Sequence, residues 1–182
     1  PVAQTAKVVP IQKAAVKPAS TTQTRMKAAA QSDAAQIEMR AANVAGGCFV
    51  AGTLVHTEQG LKRIEDIQVG ERVLAQPEQQ GEVCYKSVVN TFVFLDKEIY
   101  QVTIENAAGE QQLLETTPNH PFWVTGLGWT RADLLESGQF VELAENRGEA
   151  KVLDVKPLNH KTKVYNFEVD EYHTYYVGKM GI

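Results

Sequence analysis

The chain has 182 residues, 43% hydrophobic and 22% charged, so it is long enough for one folded domain with its own core. Its net charge of −4 is uneven: residues 1–47 carry six basic and two acidic residues (+4), and residues 48–182 carry 12 basic and 20 acidic residues (−8). The acidic body argues against nucleic acid as the main partner, and no apolar run reaches the roughly 18 residues of a membrane helix.

The first 47 residues are typical of a linker. Residues 1–24 contain three prolines, no aromatic residue and no hydrophobic period. Residues 25–45 are rich in Ala, Gln and Arg, which predicts a marginal helix that Gly46-Gly47 would end. We therefore predict an upstream segment over 1–47 and a folded domain over 48–182.

From Cys48 onward the sequence consists of short β-type runs separated by turn signals, and all 14 aromatic residues lie in this part. The runs include CFVAGTLVHT, IYQVTIE, HPFWV and KVYNFEV. Two segments, LKRIEDI and TRADLL, are long enough for one helical turn each. Roughly ten short strands predict an all-β domain that closes on itself to hide its edges. No internal repeat is evident.

Cys48 stands at the junction between these two parts, directly after Gly46-Gly47. A free cysteine is most often a small buried residue, but the glycines allow another group to approach the Gly47 carbonyl closely. Cys84 is expected to be such a core residue, and two cysteines make no disulfide framework. The four histidines and two cysteines show no metal-ligand spacing, so we predict no metal or other cofactor.

Two histidines lie in unusual surroundings. Pro118 and Pro121 flank Asn119-His120, so the chain turns sharply and holds His120 at a rigid corner. Taken alone, such a turn histidine is usually exposed and idle. His173, in DEYHTYY, is by itself most often a strand-end residue.

Three ordered segments together resemble a known family: CFVAGTLVHTEQGLKRIEDIQVGERVLA, TTPNHPFWV and VYNFEVDEYHTYYVG. Their order and spacing are similar to those of Hint domains, the fold shared by inteins, bacterial intein-like domains and the hedgehog autoprocessing domain. The residues of these segments are most similar to those of Hint domains in bacterial polymorphic toxins. In those proteins the Hint domain lies between a delivery portion and a C-terminal toxin. The resemblance covers about residues 46–182 and implies a fold of many short, strongly twisted strands. The residues themselves indicate no compartment, and secretion as part of a bacterial toxin or effector would fit the resemblance.

The resemblance implies a reaction at the Gly47–Cys48 bond, in which the Cys48 thiol attacks the Gly47 carbonyl and forms a thioester. In the family's TxxH pattern, matched by Thr117 to His120, the histidine protonates the departing amine. Thr117 orients the bond or supports the oxyanion. His173 matches the late histidine of the downstream step. Asn166 stands where many family members have an aspartate, and an amide cannot act as an acid or base.

The resemblance also leads us to expect a His-Asn ending a few residues past Ile182, so the residues shown do not support downstream cleavage or splicing. The expected partners are the flanking polypeptide segments, an upstream delivery portion and a downstream cargo. Such a domain acts once on its own backbone and is not a turnover enzyme.

Two other hypotheses stay open. The domain is a weak or inactive Hint scaffold that connects delivery and cargo portions, or it is a cysteine hydrolase that uses Cys48 and His120 on other molecules. The hydrolase is disfavoured because such nucleophiles commonly sit at a helix N-terminus, whereas Cys48 opens a β-type run.

Overall fold

The computed structural model describes residues 47–77 and 81–182, which form ten antiparallel strands and three single 3₁₀ turns. This confirms the predicted all-β domain, and the predicted helix over 25–45 lies outside the described residues. None of the described helices is long and apolar enough to cross a lipid bilayer. The strands are β1 (Phe49–Val50), β2 (Leu54–Thr57), β3 (Gly60–Arg63), β4 (Arg72–Ala75), β5 (Cys84–Asn106), β6 (Gln111–Thr116), β7 (Pro121–Val124), β8 (Gly128–Arg131), β9 (Phe140–Glu142) and β10 (Glu149–Val169), and the 3₁₀ turns are Ile64–Asp66, Ala132–Leu134 and Ala144–Asn146.

The two longest strands, β5 with 23 residues and β10 with 21, pair with each other and form the spine of the sheet. The sequence predicts separate short strands here because turn-type residues interrupt the apolar pattern. The structure accommodates those residues as irregularities. Asp96 takes a positive φ of 56°, and the register of β10 shifts between Leu158 and Lys161. Such bulges bend a strand without ending it, so the runs fuse into two long, curved strands.

The fold contains an internal repeat that the sequence analysis missed. The segments GLKRIEDIQVGERV (60–73) and GWTRADLLESGQFV (128–141) each form a strand, a 3₁₀ turn, a tight glycine turn and the start of the next strand. Only four of the 14 positions in each copy are identical, which hides the repeat from inspection. The identical pairs are Gly60 and Gly128, Arg63 and Arg131, Gly70 and Gly138, and Val73 and Val141.

The backbone hydrogen bonds of the two copies match. Gly70 N–H donates to Val88 O at 2.8 Å, and Gly138 N–H donates to Val152 O at 2.8 Å. Both glycines have positive φ, 90° and 98°, a conformation that a side chain disfavours. The repeat therefore ties one copy to each of the long strands, the first to β5 and the second to β10.

The core is divided by β1. Successive residues of a strand point to opposite sides, so Phe49 enters the main core while Cys48 enters a smaller cluster. The smaller cluster contains Cys48, Ile99 and Val164, all fully buried, with Val50, Phe94 and Leu158 packed against it. The fully buried side chains of the main core include Phe49, Val55, Val73, Val102, Ile104, Val141 and Val152.

Two adjacent leucines on β6 provide a test of this core. Leu114 is 4% exposed and Leu113 is 59% exposed. We expect Leu114→Ala to lower the free energy of unfolding by about 2–5 kcal/mol, because it leaves a cavity, and Leu113→Ala to change it by no more than about 0.5 kcal/mol. Urea denaturation of both variants measures the difference, and equal losses would contradict the assignment of β6 faces.

Candidate functional site

The backbone around Cys48 is fixed by the end of β6. Phe49 pairs with Thr116 of β6 on one side and with Tyr165 of β10 on the other. The Cys48 carbonyl accepts hydrogen bonds from the Thr117 N–H at 2.9 Å and from the Thr116 hydroxyl at 2.7 Å. The junction predicted from sequence is therefore held between two strands that are far apart along the chain.

Thr117 holds the nitrogen of the Gly47–Cys48 peptide bond. Its side-chain oxygen accepts the Cys48 N–H at 2.9 Å, in a buried position. Of the two roles expected for Thr117, orientation of the bond and support of an oxyanion, this contact fits orientation. The hydroxyl oxygen lies at the amide nitrogen of this bond.

His120 reaches the other side of the same bond from a tight turn. The His120 N–H donates to Thr117 O at 3.1 Å, and Ala132 N–H donates to His120 O at 2.8 Å, which locks the corner predicted from its flanking prolines. The imidazole interacts with the Gly47 backbone. This interaction favours the protonated ring, so the acceptor is the Gly47 carbonyl oxygen.

The turn that carries His120 precedes the second copy of the internal repeat, and a matching turn precedes the first copy. In the first half, Thr53 N–H donates to Val50 O at 3.3 Å, the same three-residue closure as His120 to Thr117. Each turn leads directly into a hairpin, β2–β3 or β7–β8. The scaffold thus places Thr53 and His120 in equivalent positions, and only the second bears a proton-transfer group.

Burial keeps the imidazole of His120 neutral. The side chain is 8% exposed and packs against the Phe49 ring at 4.1 Å between centroids. Burial lowers the pKa of His120 from 6.5 to about 4, and the Gly47 contact only partly opposes this. Among the buried polar side-chain atoms of the described residues, His120 Nδ1 is one of two without a hydrogen-bond partner. A neutral ring with an unpartnered nitrogen can accept a proton during a reaction.

The Cys48 thiol is also kept neutral. It is 0% exposed and lies in the apolar cluster with Ile99 and Val164. Burial raises the pKa of Cys48 to about 12, although the Lys97 ammonium favours the thiolate. At pH 7 a pKa near 12 leaves about one thiolate in 10⁵ thiols, so the resting state is unreactive.

Asn166 is buried beside this junction. Its Oδ1 accepts the Phe167 N–H at 2.8 Å and the Tyr175 hydroxyl at 2.7 Å. The family pattern identified Asn166 from the sequence, whereas nothing in the sequence singled out Tyr175. The period and spacing of TYYV carry no signal that would separate this tyrosine from its neighbours.

His173, the second histidine predicted for the site, is not among the residues that line the cavity next to His120. This cavity, about 90 Å³ in volume, is lined by aromatic and apolar side chains that include Phe49, Trp129, Tyr175 and Ile182, but not His173. His173 lies in the turn after β10 with a positive φ of 56°. The structure thus places Thr117 and His120 at the Gly47–Cys48 bond, Asn166 in the strand that pairs with β1, and His173 in the turn after β10.

The two free cysteines should differ in reactivity. We expect iodoacetamide to modify Cys84, which is half-buried, at least about tenfold faster than Cys48 in the folded protein, because Cys48 is inaccessible and its pKa is raised. Peptide mapping by mass spectrometry measures both rates, and unfolding in guanidinium chloride should make them similar. Faster labelling of Cys48 in the native state would contradict its burial.

The neutral state of His120 should make stability depend on pH. The folded pKa of about 4 lies below the unfolded value of 6.5, so the unfolded chain binds the extra proton first. Stability from this group is complete above about pH 6.5 and is lost as the pH falls towards 4, by about 3 kcal/mol in total. Urea denaturation of Cys48→Ala and Cys48→Ala/His120→Gln between about pH 7 and 4.5 should show a shallower loss in the double variant.

Comparisons with known proteins agree with this architecture. A family model described as the pretoxin HINT domain matches residues 54–181. The bacterial intein-like domain from Clostridium thermocellum is 38% identical, with a TM-score of 0.64 over 74% of this chain and 94% of that one. The gp41-1 intein is 27% identical, with a TM-score of 0.58 over 72% of this chain and 94% of that one.

A more distant similarity concerns the fold alone. The DnaB intein from Synechocystis sp. PCC 6803 is 19% identical, with a TM-score of 0.63 over 74% of this chain and 96% of that one. A comparison with curated proteins finds no match.

Proposed function

This chain belongs to the pretoxin Hint domain family, a group of autoprocessing domains, and we propose that it cleaves its own backbone at the Gly47–Cys48 bond by an N-to-S acyl shift. The observation that carries the proposal is the arrangement around this one peptide bond. Thr117 contacts its nitrogen and His120 contacts its carbonyl side. In this proposal the domain lies between an upstream delivery portion and a downstream toxin.

The proposed step begins with ionisation of the Cys48 thiol, and the proton that it loses is balanced by protonation of neutral His120, whose Nδ1 has no hydrogen-bond partner. The sulfur adds to the Gly47 carbonyl carbon, and the negative charge moves to the carbonyl oxygen. That oxygen lies beside the imidazole, so the developing charge favours the protonated ring and raises its pKa from the low resting value.

Collapse of the tetrahedral species completes the shift. The carbon–nitrogen bond breaks, the protonated imidazole gives its proton to the Cys48 nitrogen, and a thioester joins the Gly47 acyl group to the Cys48 sulfur. Thr117 holds the nitrogen throughout, so the leaving group and the acid keep their alignment. An external thiol or hydroxylamine then attacks the thioester and releases residues 1–47.

We expect dithiothreitol or hydroxylamine to release residues 1–47 from the wild-type chain and not from Cys48→Ala. His120→Ala should slow release by about 10²–10⁴-fold, the usual contribution of a general acid–base group, and Thr117→Val by about tenfold or more. Intact-mass spectrometry measures the products and assigns the cut.

Two substitutions outside the candidate site serve as controls for the loss of a thiol and of an imidazole. Cys84→Ala removes the other cysteine, and His160→Ala removes an exposed histidine. Both should release residues 1–47 at the wild-type rate. Cleavage at the same rate in Cys48→Ala, or at a different bond, would contradict the proposal.

The burial of the Cys48 thiol favours a second candidate function. In it, the chain is a Hint scaffold with weak or no self-cleavage activity that joins two other portions of a precursor. A thiol with a pKa of about 12 in an apolar cluster is also what a structural cysteine shows. Under this alternative the wild-type chain stays intact with dithiothreitol and with hydroxylamine, even when it is extended past Ile182. Cys48→Ala then lowers the free energy of unfolding only by the small amount expected for a smaller buried side chain.

A further inference from the structure

The strand register places Asn166 opposite the reacting cysteine. In the antiparallel pair of β1 and β10, Phe49 lies opposite Tyr165 and Val50 opposite Val164. One further residue along this register sets Cys48 opposite Asn166. Directly opposed residues share a face of the sheet, so the side chains of Cys48 and Asn166 emerge on the same side of β1.

The hydrogen bonds at Asn166 define which way its amide faces. A carbonyl oxygen has two lone pairs, and both at Oδ1 are taken, one by the Phe167 N–H at 2.8 Å and one by the Tyr175 hydroxyl at 2.7 Å. The oxygen end is therefore directed towards Phe167 and Tyr175. The other end of the carboxamide, the Nδ2 group, can only donate.

Tyr175 is itself held in place by aromatic packing. Its ring lies 4.0 Å from the Phe167 ring and 6.5 Å from the Phe49 ring, between centroids. Burial, with a smaller effect of the Cys48 charge, raises the pKa of Tyr175 well above its ordinary value, so the hydroxyl stays protonated and donates. The Phe49 contact places the tyrosine ring beside the residue that directly follows Cys48.

We propose that Tyr175 is a positioning residue for the cleavage at Cys48: its hydroxyl orients the Asn166 carboxamide so that Nδ2 donates to the negative charge that develops as the thiol attacks Gly47. The inference rests on the proposed acyl shift and adds a second donor on the sulfur side of β1, across from His120. It also gives Asn166 a role that an amide can perform, because hydrogen-bond donation needs no titratable proton.

The first test compares two adjacent tyrosines. Tyr175→Phe removes the hydroxyl and keeps the ring, whereas Tyr176→Phe removes a hydroxyl that donates to Gln76 Oε1. We expect Tyr175→Phe to slow thiol-induced release of residues 1–47 by about tenfold, and Tyr176→Phe to stay within about twofold of wild type. Rates within twofold of each other, in variants of equal stability, would overturn the proposal.

The second test does not depend on cleavage. In a Cys48→Ala background, Asn166→Asp introduces a carboxyl group at the oxygen that accepts from Tyr175. A hydrogen bond to a carboxylate stabilises its charged form. We therefore expect the pKa of this carboxyl, followed by NMR, to rise by about one pH unit when Tyr175→Phe is added and to remain unchanged when Tyr176→Phe is added.

The two tests separate failure of the inference from failure of the proposed function. If wild type is cleaved at Cys48 and Tyr175→Phe is cleaved equally fast, the acyl shift stands and the role of Tyr175 is refuted. If wild type is never cleaved, the proposed function is refuted and the positioning role falls with it. An unchanged carboxyl pKa in the Tyr175→Phe background refutes the orientation of residue 166 by Tyr175 in either case.

Discussion

A two-residue strand, β1, sets the geometry of the whole site. It is paired on one side with β6 and on the other with β10, and both partners are far from it in sequence. The pairing with β6 brings Thr117 to the Cys48 nitrogen, and the pairing with β10 brings Asn166 alongside. Because β1 is so short, every group at the Gly47–Cys48 bond depends on these two registers. A slip of one residue in either strand would turn the relevant side chains to the opposite face.

Exclusion of water determines the resting chemistry. The same burial that holds the bond in place keeps both the thiol of Cys48 and the imidazole of His120 uncharged. A charge that appears in this environment is strongly affected by nearby dipoles, which makes the Thr117, His120 and Asn166 contacts matter more than they would in water. It also makes the ground state unreactive, so stability and reactivity at this junction oppose each other.

The sequence predicted the parts of this molecule that depend on local pattern. The all-β class, the two short helical turns and the rigid corner at His120 follow from alternation, spacing and proline. The length of β5 and β10 did not follow, because Asp96 and the residues after Leu158 have the composition of turns but form bulges within a paired sheet. The internal repeat was hidden because its two copies conserve backbone geometry and little side-chain identity.

Some residues of the candidate site were likewise predicted from the sequence, and others were recognised only in the structure. Cys48, Thr117 and His120 were found because a family pattern marks them. Tyr175 was missed because its proposed role depends on one hydrogen bond from its hydroxyl to Asn166 and on packing against Phe167, which the sequence does not show.

The separation of these groups along the chain has a temporal consequence. Residues 48, 117 and 166 lie in or directly beside strands joined to the long antiparallel ladder of β5 and β10, and contacts between residues so distant in sequence generally form slowly. Under the proposed acyl shift, an incompletely folded chain would keep the Gly47–Cys48 bond intact, because the residues proposed to act on that bond have not yet come together. In that proposal, the β5–β10 ladder must form before cleavage, so a cleaved chain would be one whose domain had already folded.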